Sequence, residues 1–264
     1  MGRLRIVPYK MGSKSGKELA KYLECKRLFN DGRSNFVGRR GDVIINWGNS
    51  SSCVVGSNFT YLNHPRCVAL SSNKLKSFQK FNAEGISIPE FALSIRDVED
   101  QAPSSTWVAR TKLSGHSGDG IVIGTPDELP VAPLYTKYIE KTAEFRAIVV
   151  GESVVDFKQK KKRSSPRDEQ GEIIEDERIE HDPHVWNLDG GYVFVRGAVL
   201  RPGGIDELAV SAVKALGLDF GAVDIIQDSE GTLYVLEVNT AFGLEGTTIE
   251  LVGEAIKNEI SNNS

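Results

Sequence analysis

Cysteine, histidine and methionine are all scarce in this chain. Its 264 residues include three cysteines, Cys25, Cys53 and Cys67, and four histidines. Three scattered thiols give no disulfide framework, and so few thiols and imidazoles leave no zinc pattern. A reducing, cytoplasmic setting fits that usage. No apolar run is long enough to span a bilayer, so no membrane partner is expected. The first residues lack the apolar core of a secretion signal, and Ile6 stands where a myristoylation start needs Ser or Thr. A formal net charge of -4 supplies no general attraction to nucleic acid or anionic lipid. With 40% apolar and 26% charged residues, the chain can build a sizeable core in two or three lobes.

Residues 4–8 read as a short strand. The following Gly12-Ser13-Lys14-Ser15-Gly16-Lys17 looks like a phosphate loop, but its glycines are wrongly spaced and Glu18 replaces the required hydroxyl. It is read instead as a loop into a helix over about 16–29, with a second strand at 42–47. This order suggests a small α/β lobe over residues 1–70. Leu75, Phe78 and Phe81 have helical spacing within 73–81, and Gly85-Ile86-Ser87-Ile88-Pro89 ends that helix. Strands are expected at 107–110, 121–123 and 135–139, with a Gly-rich loop at 114–120. A hairpin spans 145–157 around Gly151-Glu152. Lys158 to Arg163 open a polar stretch reaching about Pro183. A surface loop is preferred there over a nucleic-acid patch, because no aromatic residues interleave the charges. Helices at 206–216 and 247–260 complete the chain.

The most informative segment runs from Asp224 to Asn239. Two apolar runs flank the turn signal Asp228-Ser229-Glu230-Gly231, as in a hairpin. Symmetric pairing places Asp224 opposite Val235, with Asp224, Glu237 and Asn239 on one face. Two carboxylates on an apolar hairpin are costly to bury without a compensating cation. Such oxygen ligands suit Mg²⁺, although two edge carboxylates facing water would give the same pattern.

The order of these features, with Lys74 opening a helix, Arg110 before the Gly-rich loop, Glu144-Phe145-Arg146, and the Asp224/Glu237/Asn239 hairpin, resembles an ATP-grasp ligase. RimK-type and glutathione-synthetase-like members are the nearest in pattern. The resemblance covers about residues 71–248, and the segment 215–239 is its specific part. It implies an α+β fold in which two lobes, 71–134 and 135–264, grip ATP after the small α/β lobe. It also implies ATP-dependent amide formation between a carboxylate and an amine through an acyl phosphate. Small molecules or peptides would be the substrates. Self-association and a non-catalytic ATP-binding scaffold remain open.

Residue by residue, the resemblance implies that Asp224, Glu237 and Asn239 hold magnesium, two ions in all. It assigns Lys74 and either Arg110 or Lys112 to phosphate contact. Ser114, Gly115, Ser117, Gly118 and Gly120 fall in the phosphate-covering lid. Thr136, Lys137, Tyr138 and Ile139 form the adenine-reading hinge, and Glu144 faces either ribose or a structural ion pair. Arg146 and Asn187 are the candidate catalytic residues, with Lys158 or Lys160 beside Arg146. Asn187-Leu188-Asp189-Gly190-Gly191 departs from the RimK-type segment by one missing residue and one missing arginine. The loop 240–248 would border an acceptor pocket, with Thr247 or Thr248 holding a carboxylate.

Overall fold

A computed structural model describes residues 2–102, 104–114, 120–197 and 199–262. The chain begins with β1 (Leu4–Pro8), α1 (Lys14–Tyr22), β2 (Lys26–Arg27), β3 (Val37–Gly38), β4 (Val43–Trp47), β5 (Val55–Gly56) and β6 (Thr60–Leu62). Four of these strands form a parallel sheet in the order β2-β1-β4-β6, and β3 pairs with β5 apart from it. The Ser13 hydroxyl caps α1 by accepting from the Gly16 N–H. The helix ends at Tyr22, well short of the expected Phe29. Glu24 turns left-handed there, at φ 49°, and the chain is diverted so that β2 can pair with β1.

Two short helices, α2 (Pro65–Ser71) and α3 (Lys74–Ala83), lead to a second sheet. That sheet contains β7 (Phe91–Ala92), β8 (Trp107–Arg110), β9 (Ile121–Gly124) and β10 (Leu134–Lys137), with α4 (Ile95–Gln101) between β7 and β8. Its order is β7-β10-β8-β9, antiparallel throughout. β10 straddles the expected 134/135 boundary, and its pairing assigns it to this sheet.

The third sheet is built from β11 (Ala143–Val150), β12 (Ser153–Lys162), β13 (Tyr192–Val195), β14 (Phe220–Gln227) and β15 (Leu233–Asn239), in the order β13-β12-β11-β14-β15. Side-chain alternation divides its faces. Phe145, Ala147, Val149, Val223 and Ile225 pack against Ala209, Ala212 and Val213 of α5 (Ile205–Ala215). Arg146, Lys158, Asp224 and Glu237 occupy the opposite face. At one end of that face Ile148 and Ala222 meet the first lobe and α6 (Thr248–Asn262) in a shared core. Trp47 of the first lobe stacks on Phe220, with centroids 5.5 Å apart, and lies 4.8 Å from the Phe242 ring. Gly253 lets α6 approach α1 closely, since a Cβ there would fall 2.3 Å from the Tyr22 ring.

Two further expectations change. The basic run is largely strand rather than loop, because β12 continues to Lys162 and pairs with β13. A bulge between Asp224 and Ile225 also shifts the hairpin register, so Asp224 lies opposite Glu237 and Ile225 opposite Val235.

Candidate active site

Strand pairing aligns a transverse row of charge across the third sheet. Lys158 is opposite Arg146, Arg146 is opposite Asp224, and Asp224 is opposite Glu237. Arg196, the residue after β13, extends the row beyond Lys158. Adjacent strands are about 4.8 Å apart, so three cations and then two carboxylates cross five strands on one face. The row forms part of the wall of a cavity of about 1010 Å³, also lined by Lys74, Arg110, Tyr138, Trp186 and Phe242.

The anionic half is already charge-matched. Arg146 Nε and Nη2 donate to the two Asp224 oxygens, both at 2.7 Å. Lys74 Nζ donates to Glu237 Oε2 at 2.5 Å, and Asn239 Nδ2 donates to Glu237 Oε1 at 2.8 Å. Asn239 Nδ2 is also 3.5 Å from Asp224 Oδ2, so the three expected ligands converge. Burial pushes the Glu237 carboxyl up, but Lys74, Asn239 and Arg146 together hold it down at about 2. Burial pushes Asp224 upward against the pull of Arg146. Among the described residues no group of three or more His, Cys, Asp or Glu is placed to hold a metal ion. The site supplies two carboxylates and an amide, a hard oxygen set that fits magnesium once the amide oxygen is turned inward.

Arg110 Nε is buried on the cavity side without a hydrogen-bond partner. Burial lowers the pKa of its guanidinium, and Glu237 opposes that shift. An orphaned donor beside a cationic wall fits a phosphate oxygen. Lys112 is exposed just past the strand end, so Arg110 is the side chain that lines the cavity. Ser114 is also exposed, while Gly120 accepts from Thr111 at the base of the loop. Gly115, Ser117 and Gly118 of the expected lid lie outside the described residues, as does His116.

Thr136, Lys137, Tyr138 and Ile139 line the cavity's other end. The Lys137 and Tyr138 N–H groups already donate to Glu90 and Thr106 carbonyls, at 2.8 and 3.0 Å. The Lys137 ammonium turns to Glu90 at 3.1 Å. Glu144 lines the cavity and accepts from Lys141 at 2.8 Å and from Lys160. Lys158 and Lys160 are two apart in β12, so both face the cavity, whereas the sequence left open which of the two would do so.

The segment 181–191 folds back along the cavity. Tyr138 Oη lies 2.8 Å from His184 Nδ1, and Trp186 stacks on Tyr192 with centroids 4.9 Å apart. Asn187 Oδ1 accepts from the Gly190 N–H at 2.6 Å, which gives this expected catalytic residue a turn-forming contact as well as a place on the wall. The glycine pair is steric: a Cβ on Gly190 would fall 2.4 Å from the Val185 carbonyl, and Gly191 sits at φ 81°.

Arg196 and Asp156 are the site residues that sequence reasoning missed. Arg196 donates through Nε and Nη2 to Asp156, at 2.8 and 2.6 Å. It also reaches the Thr247 and Thr248 hydroxyls, which the sequence reading reserved for a carboxylate. The Asp156/Lys158/Lys160 alternation was a usable signal. Arg196 directly follows an apolar strand and carried none. Arg201, by contrast, is a surface residue paired with Asp206 at 3.0 Å.

No family model matches the chain. A probable alpha-L-glutamate ligase from Pasteurella multocida (strain Pm70) is 30% identical over 233 residues, covering 77% of this chain and 66% of that protein. The chain spans 60–66% of the length of this and the other leading curated relatives it matches. A RiPP-associated ATP-grasp ligase from Chryseobacterium gregarium, solved with ADP and a leader and core peptide, superposes with TM-score 0.61 at 13% identity, covering 100% of this chain and 98% of its own. D-alanine–D-alanine ligase from Bacillus anthracis gives TM-score 0.63 at 12% identity, with 100% of both chains covered. At these identities the structural likeness establishes the fold. The three-sheet architecture is thus that of the ATP-grasp fold, and in sequence the chain is similar to curated proteins named as probable alpha-L-glutamate ligases.

Proposed function

We propose that this protein is an ATP-dependent ligase that joins a carboxylate to an amine through an acyl phosphate. The single observation that carries this reading is the transverse row, with a cation-binding half and an anion-binding half on one cavity wall. Bound Mg·ATP would supply the phosphoryl group. Asp224, Glu237 and Asn239 would hold the magnesium, and Lys74 and Arg110 would neutralise phosphate oxygens. The hinge strand, with Ile139 beyond its committed N–H groups, would seat the base.

A substrate carboxylate oxygen attacks the terminal phosphorus and ADP leaves. Arg146, at the junction of the two halves, neutralises negative charge on the phosphoryl and carboxylate oxygens. An amine then attacks the acyl carbon, phosphate departs with the attacking carboxylate oxygen, and the amine loses a proton. The protein's part is positioning and charge neutralisation. The names of the curated relatives make glutamate the first substrate to try, and the peptide-bound structural neighbour makes a peptide the second.

The test is ADP release from Mg·ATP by the purified protein, with and without pools of amino acids and short acidic peptides. ADP release that requires a pool supports the ligase. Tight Mg·ATP binding without release under any pool would favour a non-catalytic scaffold.

A further inference from the structure

The cationic end of the row is more elaborate than phosphoryl transfer requires. Arg146 already serves the junction with Asp224, while Lys158 and Arg196 lie farther out, away from the carboxylates. They are held by a built support. Asp156, 5% exposed, receives a two-point contact from Arg196 and lies 3.5 Å from Lys158 Nζ. The wholly buried Thr248 hydroxyl donates to Asp156 at 3.0 Å and accepts from Lys158 at 2.8 Å. Both cations nevertheless line the cavity, next to Phe242, Gly243 and Gly246 of the loop after β15. Burial pushes the Lys158 ammonium down and Asp156 pulls it back.

Charge arithmetic shows what this corner lacks. Arg196 and Lys158 carry two positive charges and Asp156 one negative charge, which leaves one positive charge facing the cavity. Glu245 also lines the cavity, but it is exposed on the loop. A planar guanidinium fixed by a buried carboxylate, with an ammonium beside it, is pre-organised for a carboxylate.

We propose that Arg196 and Lys158, positioned by Asp156 and Thr248, anchor a substrate carboxylate that is held and not activated, so the substrate beside the nucleotide is an acidic amino acid or a peptide residue of that kind. This inference rests on the ligase reading and adds the residues that select an acidic substrate. The held carboxylate belongs to either the donor or the acceptor.

The test is calorimetric titration of the whole protein, in Mg²⁺ and a non-hydrolysable ATP analogue, with L-glutamate, L-glutamine and L-isoglutamine. The two amides mask one carboxylate each. Wild type should bind glutamate about tenfold or more tightly than the amide lacking the held carboxylate, a preference of the size expected for a charge-assisted contact. Arg196→Met and Lys158→Met should each erase most of that preference while keeping nucleotide affinity. Asp156→Asn should raise KM for the acidic substrate more than it lowers kcat. Turnover of Nα-acetyl-L-glutamate, which has no free amine, would place the anchor on the donor; turnover only when glutamate supplies the amine would place it on the acceptor, and both outcomes keep it. No amide penalty in wild type, or an undiminished penalty in both Met variants, overturns the anchor. A protein that fails to bind the nucleotide at all defeats the ligase reading instead.

Discussion

Glu237 is the residue on which the site turns. Its carboxylate meets Lys74 and Asn239 and faces Asp224 across the strand pair. Glu237→Gln should keep the fold and reduce Mg²⁺-dependent ADP release by roughly a hundredfold or more, the range for losing one pre-organised electrostatic contact. An unfolded variant would mean that this hairpin face is structural. The same carboxylate makes a pH prediction. Its pKa falls from 4.5 to about 2 on folding, so its stabilising effect is complete above the ordinary value and fades as pH drops toward about 2. Urea midpoints of wild type and Glu237→Gln should therefore differ at neutral pH and converge over that acid window. Arg110→Met should weaken ATP binding, and Lys112→Met should leave it closer to wild type. Equal, negligible effects on nucleotide affinity would reject Arg110 as a phosphate contact. At this scale the shared face of Asp224, Glu237 and Asn239 was legible from side-chain alternation, because the observed pairing moves Asp224 by two residues along its partner and so keeps its face; Arg146 was singled out by the family resemblance alone. Arg196 was not legible, because its role depends on a strand order that no local pattern encodes.

Elements explain which parts of the site were visible in advance. Strands β8, β11, β14 and β15 are strongly patterned, and each was expected within a few residues. The Asp224 bulge was invisible because it follows from how two strands twist together. β12 was cut short because five basic residues look solvated, yet Lys158 and Lys160 point to carboxylate partners in the folded sheet. α3 shows a local rule holding in full: the Asn73 side chain accepts from the Lys76 N–H at 3.0 Å and so fixes where Lys74 begins its turn. Asn73→Ala should cost about 1 kcal/mol in global stability, and by loosening the Lys74 backbone it should also raise KM for ATP. A stability loss with unchanged KM would separate the cap from the site. The 181–191 segment makes another test possible. Trp186 lies against Tyr192, with the Lys141 ammonium 4.7 Å from its ring centroid. Its fluorescence should change when Mg·ATP fills the cavity, and Trp186→Phe should abolish that signal.

Over the whole molecule, the first lobe and the third sheet share one core around Trp47, Phe220 and Phe242. Trp47→Ala should cost about 3–5 kcal/mol and should also disturb the loop after β15 that closes the cavity. The Arg3–Asp42 clamp acts at the lobe's edge. Asp42 is 3% exposed because its own partners cover it, not because it lies in a deep core. Hydrogen bonds from Arg3 hold its carboxyl well below the ordinary range, so its contribution is present at neutral pH and is lost on acidification. No helix among the described residues is long and apolar enough to cross a membrane. The most direct test of the central claim uses carboxylate substrates carrying heavy oxygen isotope, incubated with Mg·ATP and an amine pool. Mass spectrometry of the released phosphate should find one labelled oxygen per turnover, carried over from the carboxylate. ADP release with unlabelled phosphate would show that water, not a carboxylate, takes the phosphoryl group, and would contradict ligation through an acyl phosphate.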